Sequence, residues 1–581
     1  MYKRFSKFHF LLKCVLIGFI PLSALSKVNL QIQGIKDSKL NDNVNLYVKM
    51  INKEEADGSL RYQGLIRDAI DKGLRAYGYY HSDVEFELSS KGKGQKDTLI
   101  AKVSLGEPVK IAGTEVNILG KGQQDKSFQK LQQKLPKEGS ILNHETYEDY
   151  KSDLQKLALN RGYFDASFQL SRLEVMPSTH QAWWRLIFNS GERYGFGEVN
   201  FINSQIREDY LRNMISIEEN EPYLISKLSS LTQSYNSSNW FSSVLLQPQI
   251  DNETKRVNVD VFLQPRKKNI LDLGGGWASD VGPRLKLNWQ KPWINSRGHS
   301  LNTSLYVSQP KQTLATTYKL PLLKNPLNYY YEISLGLENE KLNDTKVFGS
   351  TFSSLRYWNH PTGWQYSLGL QARYDSFEQG SFRNKTLLIY PTTSIHRTRL
   401  KGGLFPTWGD SQRLSFDIGR RFFISDVDFL RLYLSSAWIR TFADNHRFIT
   451  RFEFGWLKTS NLDKMPPNLR FFAGGNRSIR GYGYKTIAPK NKKGQLIGGV
   501  RLLTGSLEYQ YQVYPNWWAA SFADAGLSAN SFNPKELHYG AGIGIRWASP
   551  VGAVKFDIAT PIRDRKSTKN IQFYIGLGAE L

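Results

Sequence analysis

From Ile270 to Leu581 helical periodicity stops. About 310 residues run as alternating apolar and polar positions broken by short polar turns. Leu271-Leu273-Gly275-Trp277 reads as one strand, Leu285-Leu287-Trp289 as the next and Leu301-Thr303-Leu305-Val307 as a third. Asn295-Ser296-Arg297-Gly298 provides the turn between the last two. Such a region folds as a barrel, a propeller or a sandwich. The final segment favours a barrel in lipid. Between Ile571 and Leu581 the odd positions are Ile, Phe, Ile, Leu, Ala and Leu, and the even ones Gln, Tyr, Gly, Gly and Glu. One apolar stripe faces lipid and one polar or small stripe faces a lumen. Spanning strands of about 9–11 residues give room for roughly 14–18 of them. Aromatics near strand ends, at Trp289, Trp293, Tyr329 to Tyr331 and Trp517-Trp518, are expected to form interfacial girdles.

The start of the chain predicts export. Lys3, Arg4 and Lys7 precede an apolar stretch from Phe8 to Leu25 interrupted by Lys13, and Ala24-Leu25-Ser26 supplies small residues for cleavage. Residues 1–26 are therefore expected to be a signal peptide. No later stretch offers about 18 consecutive apolar residues, which excludes a multi-helix membrane protein. The one cysteine, Cys14, excludes a disulfide framework and a Cys-based zinc site. A net charge of +25 raises nucleic acid as a partner. Export favours anionic head groups or acidic proteins instead.

Between Lys27 and Lys268 a β-α-α-β-β unit recurs three times, about every 80 residues. Its marker is a helix-ending turn followed by aromatics: Gly78-Tyr79-Tyr80, Gly162-Tyr163-Phe164 and Asn239-Trp240-Phe241. Helical patterns precede each marker: Leu65, Ala69, Leu74; then Tyr150, Leu154, Leu157; then Leu224, Leu228, Leu231, Tyr235. Strands follow, as at Val84-Phe86-Leu88, Phe168-Leu170 and Val244-Leu246. Three small α+β modules are predicted at 27–107, 108–192 and 193–268, ahead of a barrel over 269–581. The run Lys91-Gly92-Lys93-Gly94-Gln95-Lys96 reads as a solvated hairpin.

The most specific stretch runs from Gly474 and Gly475 through Ile479-Arg480-Gly481-Tyr482 to Tyr484. It resembles the (V/I)RG(F/Y) motif of the Omp85 superfamily. Phe522-Ala523-Asp524-Ala525-Gly526 is similar to that family's strand receiving the loop arginine. Gly540-x-Gly542-x-Gly544-x-Arg546, with Pro550 and Gly552, resembles the next strand and turn. The repeated modules resemble POTRA domains. The resemblance implies an outer-membrane barrel of 16 antiparallel strands, POTRA domains in the periplasm, and a loop folded back into the lumen. It also implies that Arg480 reaches Asp524, where a fork-to-fork pair is geometrically favoured. Whether that pair is a latch or a strut is not decided by sequence.

The lateral seam is expected where first and last strands meet, at Gly274, Gly275 and Gly276 against Gly576, Gly578 and Leu581. Leu581 departs from the family's terminal aromatic. Each strand glycine costs roughly 0.5–1 kcal/mol, whereas an unpaired backbone group in lipid costs several. The seam should rest closed yet open more readily than other strand pairs. An open edge templates an incoming strand.

Three modules before such a barrel are similar to the TamA-type branch. That implies assembly of autotransporters and other β-barrel clients, and a TamB-like inner-membrane-anchored partner docking through the first module. The outer-membrane end of a phospholipid bridge and a two-partner secretion pore are the alternatives. No nucleophile elbow, P-loop or H-E-x-x-H occurs, so no catalytic residue, metal ligand or cofactor is expected.

Overall fold

The computed structural model describes residues 28–89, 97–278, 282–550, 552–562 and 571–577. The predicted signal at 1–26, the Lys91–Lys96 run, Gly578 and Leu581 lie outside the described residues. The chain divides into two compact units, 1–196 with 220–225 and 251–257, and 197–219 with 226–250 and 258–581.

In the first unit, one module comprises β1 (Asn29–Gln33), α1 (Ser38–Lys49), α2 (Leu60–Arg75), β2 (Asp83–Ser89) and β3 (Thr98–Ser104). The second comprises β4 (Lys110–Leu119), α3 (Lys126–Gln132), α4 (His144–Arg161), β5 (Ser167–Met176) and β6 (Gln181–Asn189). Each sheet places its last strand in the middle, in the orders β1-β3-β2 and β4-β6-β5. Helix starts are capped by side chains: Asp37 Oδ1 accepts from Leu40 N at 3.0 Å, and Asn143 Oδ1 from Glu145 N at 2.9 Å. The repeated marker turns are left-handed, with φ of 86° at Gly78, 84° at Gly162 and 62° at Asn239. Such a conformation ends a helix and suits glycine or asparagine. The buried stripe of α2 is Ile66, Ile70 and Leu74, and Leu65 sits half-buried beside it. The predicted stripe was thus one position out of register at its start, because the i, i+4 isoleucines and not Leu65 define the core face.

The second unit begins with the third module: β7 (Gly195–Ile202), α5 (Glu208–Arg212), α6 (Ile225–Ser237), β8 (Phe241–Asp251) and β9 (Arg256–Pro265). It continues into one sheet of sixteen consecutive antiparallel strands. The first four are β10 (Ile270–Ala278), β11 (Gly282–Lys291), β12 (Ser300–Ser308) and β13 (Lys311–Pro321). The tall middle holds β14 (Tyr329–Leu342), β15 (Thr345–Asn359), β16 (Gln365–Gln379) and β17 (Phe382–Lys401). β18 (Trp408–Gly419), β19 (Phe429–Phe442), β20 (His446–Thr459) and β21 (Arg501–Tyr514) follow. The last are β22 (Trp517–Ala529), β23 (His538–Ser549), β24 (Gly552–Ile562) and β25 (Gln572–Leu577). This is the predicted near-closed 16-stranded barrel behind α+β modules.

Alternation decides which side chains face out. Phe348, Phe352, Leu368 and Leu370 are exposed on the outer wall, while Asp375, Arg373 and Tyr390 are buried within. In β25, Phe573 and Ile575 are exposed and Tyr574 is buried. The same period corrects the girdle: Trp517 faces out and stacks on Trp547 at 5.7 Å, but Trp518 and Tyr330 are buried on the inner side. Adjacent strand residues cannot share a face. Third module and barrel are pinned at the β11–β12 turn. Trp240 Nε1 donates to Gly298 O at 2.9 Å, and Trp293 Nε1 to Arg266 O at 2.8 Å.

Candidate functional site

The loop between β20 and β21 folds into the barrel. Ile479, Tyr482, Ile487 and Leu496 join Leu388, Tyr390, Phe429 and Leu502 of the wall in one apolar core. Loop polar groups are tied to two walls. On the β14–β16 side, Lys485 Nζ donates to Glu340 Oε1 at 2.5 Å, and Gln379 Nε2 donates to Leu496 O at 2.6 Å.

On the β21–β24 side Arg480 is 2% exposed and fully engaged. Its Nε and Nη2 donate to Asp524 Oδ2 and Oδ1 at 2.8 and 2.9 Å, and its backbone N–H donates to Oδ2 at 3.0 Å. Nη1 reaches Glu508 Oε2 at 2.7 Å, and the guanidinium lies 3.4 Å from the Phe522 ring centre. Arg546 completes the cluster, donating to Glu508 Oε1 at 2.8 Å and Asp557 Oδ1 at 2.5 Å. Two guanidiniums thus face three carboxylates across β21 to β24, a geometry in which each buried charge has a hydrogen-bonded counter-charge.

Glycines make this approach possible. Gly481 has φ of 96°, and a Cβ there would lie 2.7 Å from the Thr560 backbone carbon of β24. At Gly540 a Cβ would collide with the Arg480 carbonyl, and at Gly544 with Asp557. Gly526 and Gly542 lie equally tight against neighbouring strands, whereas Pro550 is exposed in the following turn and Gly552 accepts from Ser549 Oγ at 2.6 Å. Gly475 packs beside Tyr484.

The motif also holds the last strand. Gly481 N donates to Tyr574 Oη at 3.0 Å, and Tyr574 Oη donates to Tyr482 O at 2.7 Å. The loop therefore grips β25 directly as well as β21 to β24.

Of the described residues, β10 has nine and β25 six, against 20 in β17. Among the described residues no ladder joins β10 to β25. A side-chain hydrogen bond crosses it: Arg284 of β11 lies over Gly276 of β10, and its Nη2 donates to Leu577 O of β25 at 2.8 Å. Gly276 leaves space for that arginine. Gly274 and Gly275 meet nothing close, and at Gly576 a Cβ would have only the Asn476 amide of the loop beside it, at 3.5 Å.

Residues 273–580, more than half of the chain, match the family description "Omp85 superfamily domain". The chain belongs to the Omp85 superfamily. Residues 29–105 match "POTRA domain TamA domain 1" and 194–266 match "Surface antigen variable number repeat". Among curated relatives, the chain is 22% identical over 382 residues to "Outer membrane protein assembly factor BamA" of Nitratidesulfovibrio vulgaris, covering 62% of this chain and 47% of that protein. It is also 22% identical to the BamA of Neisseria meningitidis over 496 residues, with 71% and 60% covered. The chain thus spans about half to three fifths of these relatives' length. The crystal structure of BamA from Haemophilus ducreyi lacking POTRA domains 1–3 superposes with a TM-score of 0.67 at 17% identity, covering 81% of this chain and 99% of that one. This likeness is one of fold.

For this Omp85 chain, sequence reading placed Arg480, Asp524 and Arg546 but missed Glu508, Asp557, Tyr574 and Arg284. Glu508, Asp557 and Tyr574 all occupy lumen-facing positions of alternating strands, and the strand register singles them out from other inward polar residues. Arg284 carries no such signal, since its partner is a backbone carbonyl.

Proposed function

We propose that this protein is a TamA-type assembly factor of the bacterial outer membrane, with its POTRA modules in the periplasm. In this reading it promotes insertion of autotransporters and other β-barrel clients by strand exchange between β10 and β25. The module boundaries 27–107, 108–192 and 193–268, and docking of a TamB-like partner through the first module, belong to the same proposal. The observation that carries it is the uneven barrel: ladders join every consecutive strand pair from β10 to β25, whereas among the described residues none joins β10 to β25, where the Arg284 side chain reaches across. An edge so held is the cheapest place to admit another strand.

The loop motif Gly475, Ile479, Arg480, Gly481 and Tyr482 acts as the latch. It joins the charged wall to β25 through Tyr574. Its crossing of the lumen favours assembly at the edge over conduction through a two-partner secretion pore. No nucleotide is needed, because a client strand pairing along an edge gains backbone hydrogen bonds of its own.

The test joins cysteines engineered into β10 and β25 in a Cys14→Ser background, with the protein reconstituted in liposomes. Oxidised protein should fail to render an added barrel client protease-resistant, and reductant should restore it. Full activity in the oxidised state overturns the seam mechanism. Photocrosslinkers placed in the first module of the full-length chain should capture an inner-membrane-anchored partner.

A further inference from the structure

The outer wall carries a charged cluster that strand exchange does not use. It lies on β17 to β19, at the barrel end where β10 begins. By strand alternation, Arg397, Arg399, Asp410, Gln412 and Arg440 share the face of exposed outer residues. Asp410 is wholly buried beneath three guanidiniums: Arg399 at 2.6 Å, Arg397 at 3.5 Å and Arg440 at 4.0 Å. One carboxylate cannot neutralise three arginines. Lipid-facing arginine costs about 2–4 kcal/mol at the midplane and little near the interface, so such a surplus is tolerated only where head groups reach it.

Indoles hold the forks in place. Arg397 lies 4.3 Å from the ring centre of Trp364, and Arg440 lies 4.6 Å from Trp408 and 4.8 Å from Trp438. Stacking fixes each guanidinium plane; Arg440 also donates from Nη1 to Gly409 O at 2.6 Å and to Ile439 O at 2.7 Å, so Arg397 is the less engaged of the two. Both polar ends of the Gln412 amide and Nε of Arg397 are buried without a hydrogen-bond partner among the described residues. A site with unspent donors, surplus positive charge and an aromatic floor matches a phosphodiester beneath which acyl chains lie on apolar wall.

We propose that the outer face of β17–β19 binds the phosphate of an anionic phospholipid in the leaflet at the module-bearing end of the barrel. Arg397 supplies the fork, Arg440 a second positive charge held by its backbone bonds, and Trp364, Trp408 and Trp438 the walls. The assignment does not depend on how clients are assembled.

Native mass spectrometry of the full-length protein in detergent tests it, with phosphatidylglycerol and phosphatidylcholine of identical chains as probes. Phosphatidylglycerol should be retained preferentially. Arg397→Gln should weaken that retention about fivefold, the value of one interfacial arginine. Arg413→Gln, the same charge change on the lumen face of β18, should leave it unaltered. Heat-modifiable gel migration checks that each barrel is folded; if Arg397→Gln is not, Arg397→Lys replaces it and should retain less lipid than wild type. Equal retention of the two lipids, equal losses at positions 397 and 413, or wild-type retention by the lysine variant would each overturn the site. Displacement by inorganic phosphate as effective as by lipid would overturn its assignment to a lipid.

Discussion

The wall formed by β21 to β24 and the edges formed by β10 and β25 belong to one sheet but are held by different physics. The wall has ladders of ten or more residue pairs between neighbours and a buried cluster of two arginines and three carboxylates. The edges bear glycines, share no ladder among the described residues, and are bridged by Arg284. Tyr574 is the point where the two regimes touch, since it ties the loop anchored on the wall to the strand at the edge. The contrast teaches that dense and sparse pairing are placed side by side, with the loop as the connecting part.

The largest expected effect comes from breaking the wall. Arg480→Ala leaves Asp524 and Glu508 buried with fewer counter-charges and should destabilise the barrel by about 3–5 kcal/mol. A urea titration followed by gel mobility measures that loss. The barrel should still fold in lipid while client assembly is lost, and an unchanged assembly rate would remove Arg480 from the mechanism. Next comes the link itself. Tyr574→Phe strands the Gly481 N–H and should cost about 1–3 kcal/mol, read as faster hydrogen exchange in β25 with β21 to β24 unchanged. If exchange rises equally across the wall, loop and edge are not separable.

Arg284→Ala sharpens the other side of the contrast. One hydrogen bond from a charged donor is worth about 1.5–3 kcal/mol at most, less where water competes, and its loss should raise the rate of disulfide formation between β10 and β25 probes or their exposure to thiol reagents. A wall substitution of similar size should not do so. The smallest effect lies outside the barrel, in the first unit. His144, hydrogen-bonded to Tyr80 Oη at 2.8 Å, is held below its usual value near 6.5 by burial, against the opposing pull of Glu148. A depressed histidine contributes stability above pH 6.5 that is lost as the pH falls through its folded value. Thermal unfolding of the first unit should therefore drop modestly in acid, and His144→Gln should flatten that dependence.

Period and turn chemistry made most of this architecture legible. Three left-handed markers located the modules, because few residues tolerate that backbone. Strict alternation located the lipid face of β25. The Arg480–Asp524 pair was visible because both partners sit in compact motifs. Glu508 and Asp557 were not, since an inward carboxylate on an ordinary strand looks like any lumen residue until the register aligns it with Arg546. The apolar core around Ile479 and Phe429 was also hidden. Sequence alternation predicts a polar lumen, and only the returning loop gives those inward side chains something to cover.

Sixteen is an even number, so β10 and β25 run in opposite directions. Parity then limits what fits between them. A single guest strand lying antiparallel to one edge is forced parallel to the other, which is the weaker pairing. A hairpin, or any even set of strands, satisfies both edges at once. If cargo enters at the seam as proposed, the opposed direction of the two edge staves sets an arithmetic rule for it: admission by twos.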